Sequence, residues 1–330
     1  MQNTIDFVVM WVDGNDVAWR EKKKKYLPKE TADDSDSRYR DWETMRYWFR
    51  SVERYAPWVN KIHFVTDNQV PQWLNTAHPK LHLVSHQAFI PAEVLPLFNS
   101  SAIEIGIKDI PDLADQFVFF NDDIFLNAPI NPEYYFVDGT PVDMAGMTRH
   151  DKGNTVFQRL VKNDYDLLNR HFDKWTTILH NVSKWYRLSY GKTLFRTILF
   201  GGGKKFHGLV IPHLSVPYRK NDMIRVWHEE PEILACAQKN RFRCESDVNH
   251  FVYRFWRMCV GDFYPRKSRG QYISLRDMKS IERIEKILRK GTITELCIND
   301  NWEGTDITKA KDRITLAFST KFPQNSTFEK

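Results

Sequence analysis

The chain has 330 residues, 42% hydrophobic and 27% charged, a globular composition with length enough for one large core or for a core with an inserted subdomain. Lys and Arg number 48 against 42 Asp and Glu, an excess of +6 too evenly opposed for a nucleic-acid reader with a concentrated basic stripe. No apolar stretch approaches the roughly 20 residues of a membrane span, and Cys236, Cys244, Cys259 and Cys297 show neither a C-x-x-C pair nor zinc spacing, which leaves them as free thiols.

The chain opens on "IDFVVMWV" (5–12), an apolar run without a basic segment before it, so it reads as a first strand and not a signal peptide, and a cytoplasmic protein is expected. "REKKKKYLPKE" (20–30) reads as a solvated helix end or loop, attraction to an anionic membrane surface being the minority reading. In residues 40–58, Trp42, Met45, Trp48, Phe49, Val52 and Tyr55 recur at helical spacing until Pro57 stops the run. Strands follow at 61–67, 80–86 and 116–123, with a short helix over 101–108 capped by Asn99 or Ser100. This alternation predicts an α/β fold, a Rossmann-like and mainly parallel sheet flanked by helices, with ligands at the carboxyl ends of its strands. The second half is more helical. Helices are predicted over 220–240, broken near Pro231, over 246–260 from a Ser246-Asp247 cap, and over 278–291; a last strand at 293–298 opens into Asn-Asp-Asn, and the final residues should fray. One catalytic domain over 1–330 is expected, with 150–245 as an inserted helical or lid region.

The strand ends carry the chemistry. "WVDGND", "VTDN", "FNDD" and "NDN" would converge on one crevice. Gly14 permits a tight turn between Asp13 and Asp16, which either presents a carboxylate to a nucleotide or sugar or forms a solvated Asx turn. In "FVFFNDDIFL" (117–126) an apolar strand breaks on Asn121, Asp122 and Asp123. An unpaired buried carboxylate is costly, so the pair should meet a partner, the alternative being the cap of a following turn. Adjacent strand residues face opposite ways, so one Asp reaches a metal while the other orients a neighbour; the residues leave open which. Carboxylate ligation suits a hard ion, Mg2+ or Mn2+, completed by substrate phosphates. His207 and His213, among Pro212 and Pro217 and ahead of Arg219 and Lys220, offer a general base or an ordinary hydrogen-bonded histidine. Arg241 and Arg243 in "RFRCESD" precede a predicted helix N-terminus, where they would hold a phosphate or form a solvated face. "FGGGKKFHG" (200–208) has the charge and flexibility of an anion-binding lid without Walker spacing. The set suits a metal-bound nucleoside diphosphate sugar.

Whole segments of the chain resemble the Stealth family: "IDFVVMWVDGND", the run from "RYRDWETMRYWFRSVERY" to "NQVPQWLN", "FNSSAIE", "FVFFNDDIFL", "IPHLSVPY", "RFRCESD" and "LCINDN", in the family's order from about residue 5 to about residue 303. The match is close in the first two regions and looser in the third, where it rests on Pro212-His213 and on Arg243 to Asp247. The resemblance implies a single Stealth-type catalytic domain that moves hexose-1-phosphate from a UDP-hexose to a hydroxyl of a growing capsular or exopolysaccharide, free or lipid-linked. A phosphodiester forms, UMP leaves, and the C1–O bond survives. It further implies His213 as base, Arg243 as phosphoryl clamp, Asp123 with Asp300 as metal ligands, Asp13, Asn15, Asn121 and Asp122 at the donor, and Glu104 orienting the sugar. A cytoplasmic enzyme, peripheral on the inner face of the membrane, is expected. The rival readings are a metal-dependent glycosyltransferase, which would release UDP, and a non-catalytic carbohydrate- or nucleic-acid-binding protein.

Overall fold

In the computed structural model, which describes residues 4–28, 39–149, 153 and 155–330, strands β1 (Ile5–Met10), β2 (Ile62–Thr66), β3 (Leu81–Ser85) and β4 (Gln116–Phe120) lie parallel in the order β3-β2-β1-β4. The apolar character of the inner strands β1, β2 and β4 follows from two-sided burial, whereas β3 is a half-exposed edge. Along β4, Phe117 and Phe119 enter one core while Val118 and Phe120 enter the other, so neither face has room for a polar residue. Each strand is shorter than the predicted run: β2, β3 and β4 lose residues at their polar ends, and β1 loses Trp11 and Val12, which line the cleft.

The apolar run that resumes after Asp123 is not a continuation of β4. It is β5 (Ile124–Leu126), which joins a second sheet. β6 (Phe136–Val137), β7 (Thr140–Asp143), β8 (Val216–Arg219), β9 (Tyr264–Pro265), β10 (Gly270–Leu275) and β11 (Glu295–Asp300) complete the strands of the described residues. β8 closes the main sheet antiparallel to β4; it falls in a stretch that its prolines mark as loop, and Pro217 fits because an edge strand can lack a donor. β11 lies parallel to β10 and antiparallel to β5, with Cys297 opposite Ile124. The Ile298 amide donates to the Asp123 carbonyl at 2.8 Å, so Asn299 and Asp300 arrive beside the "FNDD" turn.

Helix α1 (Val17–Tyr26), which contains most of the basic run, starts where the Asp16 carboxylate accepts from the Ala18 and Trp19 amides; Lys29 and Glu30, the end of that run, lie outside the described residues. α2 (Met45–Tyr55) buries Trp48, Phe49 and Val52 at the predicted spacing, and α3 (Ser100–Ile105) is capped by Asn99. α4 (Val156–His171), α5 (Lys174–His180), α6 (Val182–Trp185) and α7 (Lys192–Phe200) precede β8, and α8 (Lys220–Glu229) and α9 (Pro231–Gln238) follow it, parted near Pro231. Of the 150–245 stretch, residues 150–152 and 154 lie outside the described residues. α10 (Phe251–Val260) begins five residues after the expected Ser246-Asp247 cap, because the Asp247 carboxylate instead bonds the Asn99 and Asn240 side chains and the Cys244 amide. α11 (Met278–Lys290) ends at Gly291 in the left-handed conformation (φ 59°), and α12 (Ile307–Lys321) packs beside it. Among the described residues no helix is long and apolar enough to cross a membrane.

Two buried networks fix this arrangement. At the end of β7, Asp143 receives Arg254 Nη2 at 2.8 Å and Arg257 Nη2 at 3.1 Å, while the same two guanidinium groups donate to the Val210 carbonyl at 2.9 Å and the Pro217 carbonyl at 2.7 Å. Burial opposes ionisation of Asp143, but Arg254 and then Arg257 outweigh it and hold its pKa below the usual carboxylate value. The second network ties down the end of the chain, which sequence reading leaves frayed. Arg50 forks onto both carboxylate oxygens of Glu329 at 2.7 Å and donates to the Phe322 carbonyl at 2.8 Å, and Lys330 N reaches the Trp73 carbonyl at 2.9 Å.

Removing Asp143 leaves the buried Arg254 guanidinium without its counter-charge and Arg257 with Asp222 alone, at 3.6 Å. Asp143→Ala is expected to cost about 3–5 kcal/mol in urea unfolding at neutral pH; a loss below about 1 kcal/mol would mean that the two carbonyls and Asp222 satisfy the arginines.

Candidate active site

The carboxyl ends of β1, β2 and β4 open on one cleft of about 1360 Å3, larger than the roughly 300–1,000 Å3 of a typical small-molecule site. Its wall includes Asn121, Asp122, Asp123, Glu104, His213, Arg243 and Asp300, which lie far apart in sequence. Neither Asp13 nor Asn15 is part of that wall. Asp13 closes its own turn by accepting from the Asn15 amide at 2.8 Å, its backbone is bracketed by the Gln69 side chain, and the Asn15 side chain turns to Arg20. Here Asp13 and Asn15 hold the shape of the loop beside the cleft. Gly14 matters there for close approach, since a Cβ would fall on the Tyr39 carbonyl.

The floor of the cleft is electrostatically frustrated. Asp122 touches cleft water, yet protein surrounds it so closely that burial, with Asp123 and then Asp41 beside it, pushes its pKa up to about 8. Burial likewise raises Asp123, whose Oδ1 has no hydrogen-bond partner and whose Oδ2 receives only long contacts, 3.4 Å each, from Cys297 Sγ and Asn299 Nδ2. Asp41 is raised too, by burial and then by Asp13 and Glu43, against the Glu43 amide. Asp41 was not singled out from the sequence; the signal available was an Asp just ahead of the Met45 helix start in a run otherwise read as helix.

An orphaned carboxylate oxygen beside a carboxyl that holds its proton is what a divalent cation would satisfy, and Asp123 and Asp122 fit that use. Among the described residues no three His, Cys, Asp or Glu side chains converge into a closed cage, so further ligands would come from water and substrate, as a hard ion prefers. Asp300, the other expected metal ligand, already has a protein partner in the cleft wall. Both its oxygens accept from Arg40 Nη1, at 3.0 and 3.2 Å, and its Oδ1 also takes the Trp302 amide at 2.9 Å.

His213 sits in the left-handed region (φ 51°), held between the rings of Tyr272 at 4.9 Å and Phe157 at 5.6 Å. Burial and then the Arg254 charge lower its pKa, so the imidazole is neutral at neutral pH. It shares a recess of about 60 Å3 with Asn121, Asp123, His250 and Asn299. His250, pushed down to about 3 by burial, Arg254 and His213, is held by the Tyr218 hydroxyl at 2.8 Å and belongs to the scaffold.

Arg243 does not stand at a helix N-terminus, because α10 starts at Phe251. Its Nη2 donates instead to the Ser100 hydroxyl at 2.7 Å, at the start of α3. Glu104, one turn along α3, is buried and raised by that burial, with the Arg243 charge as the first opposing influence. Arg241 is structural, donating to the Pro96 and Leu95 carbonyls. In the glycine loop, the carbonyls of Gly201, Gly202 and Gly203 all accept from the buried Lys174 ammonium, which makes this a cation cage and not an anion-binding nest. His207 and Gly208 beyond it reach the cleft wall.

Residues 3–31 match the family model for Stealth protein CR1, conserved region 1, and residues 38–143 that for Stealth protein CR2, conserved region 2. Over all of both chains, the sequence is 36% identical to a capsular polysaccharide phosphotransferase, WcwK, of Streptococcus pneumoniae and 37% identical to a receptor polysaccharide phosphotransferase, WefC, of Streptococcus gordonii. It is 32% identical to the exopolysaccharide phosphotransferase cps2G of Lactiplantibacillus plantarum, over 99% of this chain and 96% of that one.

Relieving the crowded floor should stabilise the fold. With metal chelated, Asp123→Asn is expected to raise Tm by about 1–3 °C, a modest gain because cleft water screens the charges. The sign follows from Asp122: a carboxyl raised to about 8 destabilises the native state progressively as pH climbs towards that value, so the gain should be larger at pH 8.5 than at pH 6 (about 2.5 units apart). Equal melting of the two proteins across that range would remove the like-charge account.

Proposed function

The chain belongs to the Stealth family, and from that premise we propose that it transfers a hexose-1-phosphate from a UDP-hexose to a hydroxyl of a growing capsular or exopolysaccharide, forming a phosphodiester and releasing UMP. The observation that carries this reading is the meeting, in one cleft, of a neutral histidine, an arginine held by a serine, and carboxylates short of a counter-charge. The cleft's size suits two sugar-bearing substrates, whose reacting groups must lie side by side for an in-line attack.

Each residue then has a separate task. His213, neutral and bracketed by two rings, takes the proton of the acceptor hydroxyl as its oxygen attacks the β-side phosphorus attached to the sugar. Arg243, oriented by Ser100 and by the Glu104 charge, forks onto the phosphoryl oxygens where negative charge gathers. Asp123 and Asp122 would hold a magnesium or manganese ion with diphosphate oxygens; the bound ion would neutralise the departing UMP. Asp300 keeps Arg40 beside the cleft, and Asp13 sets the loop and adds its charge to Asp41. Because attack is at phosphorus, the anomeric centre is untouched and its configuration is kept.

The first test is the nucleotide released from UDP-hexoses in the presence of a divalent ion and an oligosaccharide acceptor. UMP supports attack at phosphorus, whereas UDP would mean attack at the anomeric carbon and would end this assignment for His213 and Arg243. The second test is pH. A base must be unprotonated, and the His213 pKa is lowered from 6.5, so kcat/KM is expected to rise with pH along an acid limb lying below that value and to level off by neutrality. His213→Gln should lower kcat about 10²–10⁴-fold and abolish the limb; a variant that kept it would place the base elsewhere.

A further inference from the structure

One surface remains unexplained by the cleft. The segment from α5 to α7 exposes an unusual run of large apolar side chains: Leu179 on α5 is 70% exposed, Leu188 in the turn before α7 91%, and Phe195, Ile198 and Leu199 on α7 68%, 64% and 60%. On α7 the cause is visible. Thr197 is the residue that faces inward, donating to the Thr193 carbonyl and accepting the Met147 amide, so Phe195, Ile198 and Leu199 are turned to solvent. Exposed apolar side chains gathered on α7 and the 188–190 turn packed against it mark an interaction site.

The charge of the segment itself is one-sided, and an acid beside it in space, Asp262 next to the Gly261 carbonyl that Lys184 holds, is paired with Arg219. From Lys174 to Asn221 the sequence contains no Asp or Glu. Arg187, Lys192, Arg196, Lys204 and Lys205 are exposed, and among the described residues none forms an ion pair. Lys267 Nζ lies beside Gly191 at the start of α7 and adds to the set. Asp173, the nearest acid in sequence, is engaged in capping α5. Apolar side chains rimmed by cations are the composition of an interfacial helix face, which buries the first in the acyl boundary while the second meets anionic headgroups.

We propose that the α5–α7 face docks the protein on an anionic lipid bilayer surface. A second copy of the chain fits poorly, because a two-fold contact through this face would set the same cations against one another. The basic run of α1 is not the site: it is rich in lysine but exposes no comparable apolar face. Docking on α7 also has a geometric consequence for the cleft. Met147, bonded to Thr197, leads to Thr148, whose amide donates to the Gly208 carbonyl, and Thr148, Arg149, His207 and Gly208 form part of the cleft wall. The bilayer would therefore lie behind one wall of the site. The docking stands without the transferase reading; only its use, bringing the cleft to a membrane-held acceptor, rests on it.

The test is co-sedimentation of the full chain with vesicles of phosphatidylcholine alone or mixed with phosphatidylglycerol. Binding is expected to the mixed vesicles only and to fall steeply as salt rises from about 0.05 to about 0.5 M. Phe195→Ser with Ile198→Ser and Leu199→Ser, and separately Lys192→Glu with Arg196→Glu, should each lower the bound fraction about ten-fold or more, with an unchanged circular-dichroism spectrum and melting curve. The charge pair is fully surface-exposed, so it decides the matter if the apolar triple variant misfolds. Lys23→Ala with Lys24→Ala and Lys25→Ala on α1 should bind as wild type. The proposal is overturned if wild type ignores anionic vesicles at low salt, if the α1 variant alone loses binding, or if sedimentation velocity shows a dimer that the α7 substitutions dissolve while vesicle binding is absent.

Discussion

Two guanidinium groups one helical turn apart, on Arg254 and Arg257, share the single buried carboxylate of Asp143, and the placement of His213 depends on that contact. The arginines also hold the carbonyls of Val210 and Pro217, on either side of His213, so the loop between them is gripped at both ends by α10. A left-handed residue is expensive to keep in a free loop and affordable in one whose ends are fixed. Arg254 acts a second time through its field, which helps keep the imidazole unprotonated. One ionic cluster thereby fixes the loop that carries the proposed base and, second to burial, favours its neutral form.

The main sheet shows why buried aspartates differ in meaning. Asp6, in β1, is fully buried and also fully used: its carboxylate accepts from Asn60, the Lys61 amide, His63 and the Ala114 amide. These bonds overcome the burial that would raise its pKa, and it ends below the usual value. Asp123, just past the opposite end of β4, has one oxygen with no partner and is raised. The first is a staple between strands. The second is a deficit that a ligand can fill, and it lies where an α/β sheet ordinarily receives one.

Much of this could be read from the sequence. Short apolar runs ending on polar residues made the parallel strands evident, and the break of "FVFFNDDIFL" on two carboxylates placed the crevice, because a two-sided strand cannot hold unpaired charge. What could not be read was which polar groups find each other across long separations. Asp247 looked like a helix cap, yet Asn99, nearly 150 residues earlier, claims it and delays α10. Asp300 could be placed at a strand end, but nothing local announced Arg40, 260 residues earlier, as its neighbour. Pro217 hid an edge strand, since a proline is penalised as loop-forming without regard to which side of the strand needs a donor. Local pattern reports propensity and burial; partner choice is a property of the closed fold.

The clasp of Arg50 on Glu329 also bears on how the fold closes. Arg50 belongs to α2, the helix that covers one face of the sheet, and its buried fork is satisfied by a residue 279 positions later, with the Phe328 backbone carbonyl accepting from Asn75 at 2.8 Å nearby. Without that partner the first βαβ unit carries a guanidinium short of its counter-charge. The outer layer of the sheet is thereby completed by a contact of long sequence separation, the kind whose loop-closure entropy is met before the contact rewards it.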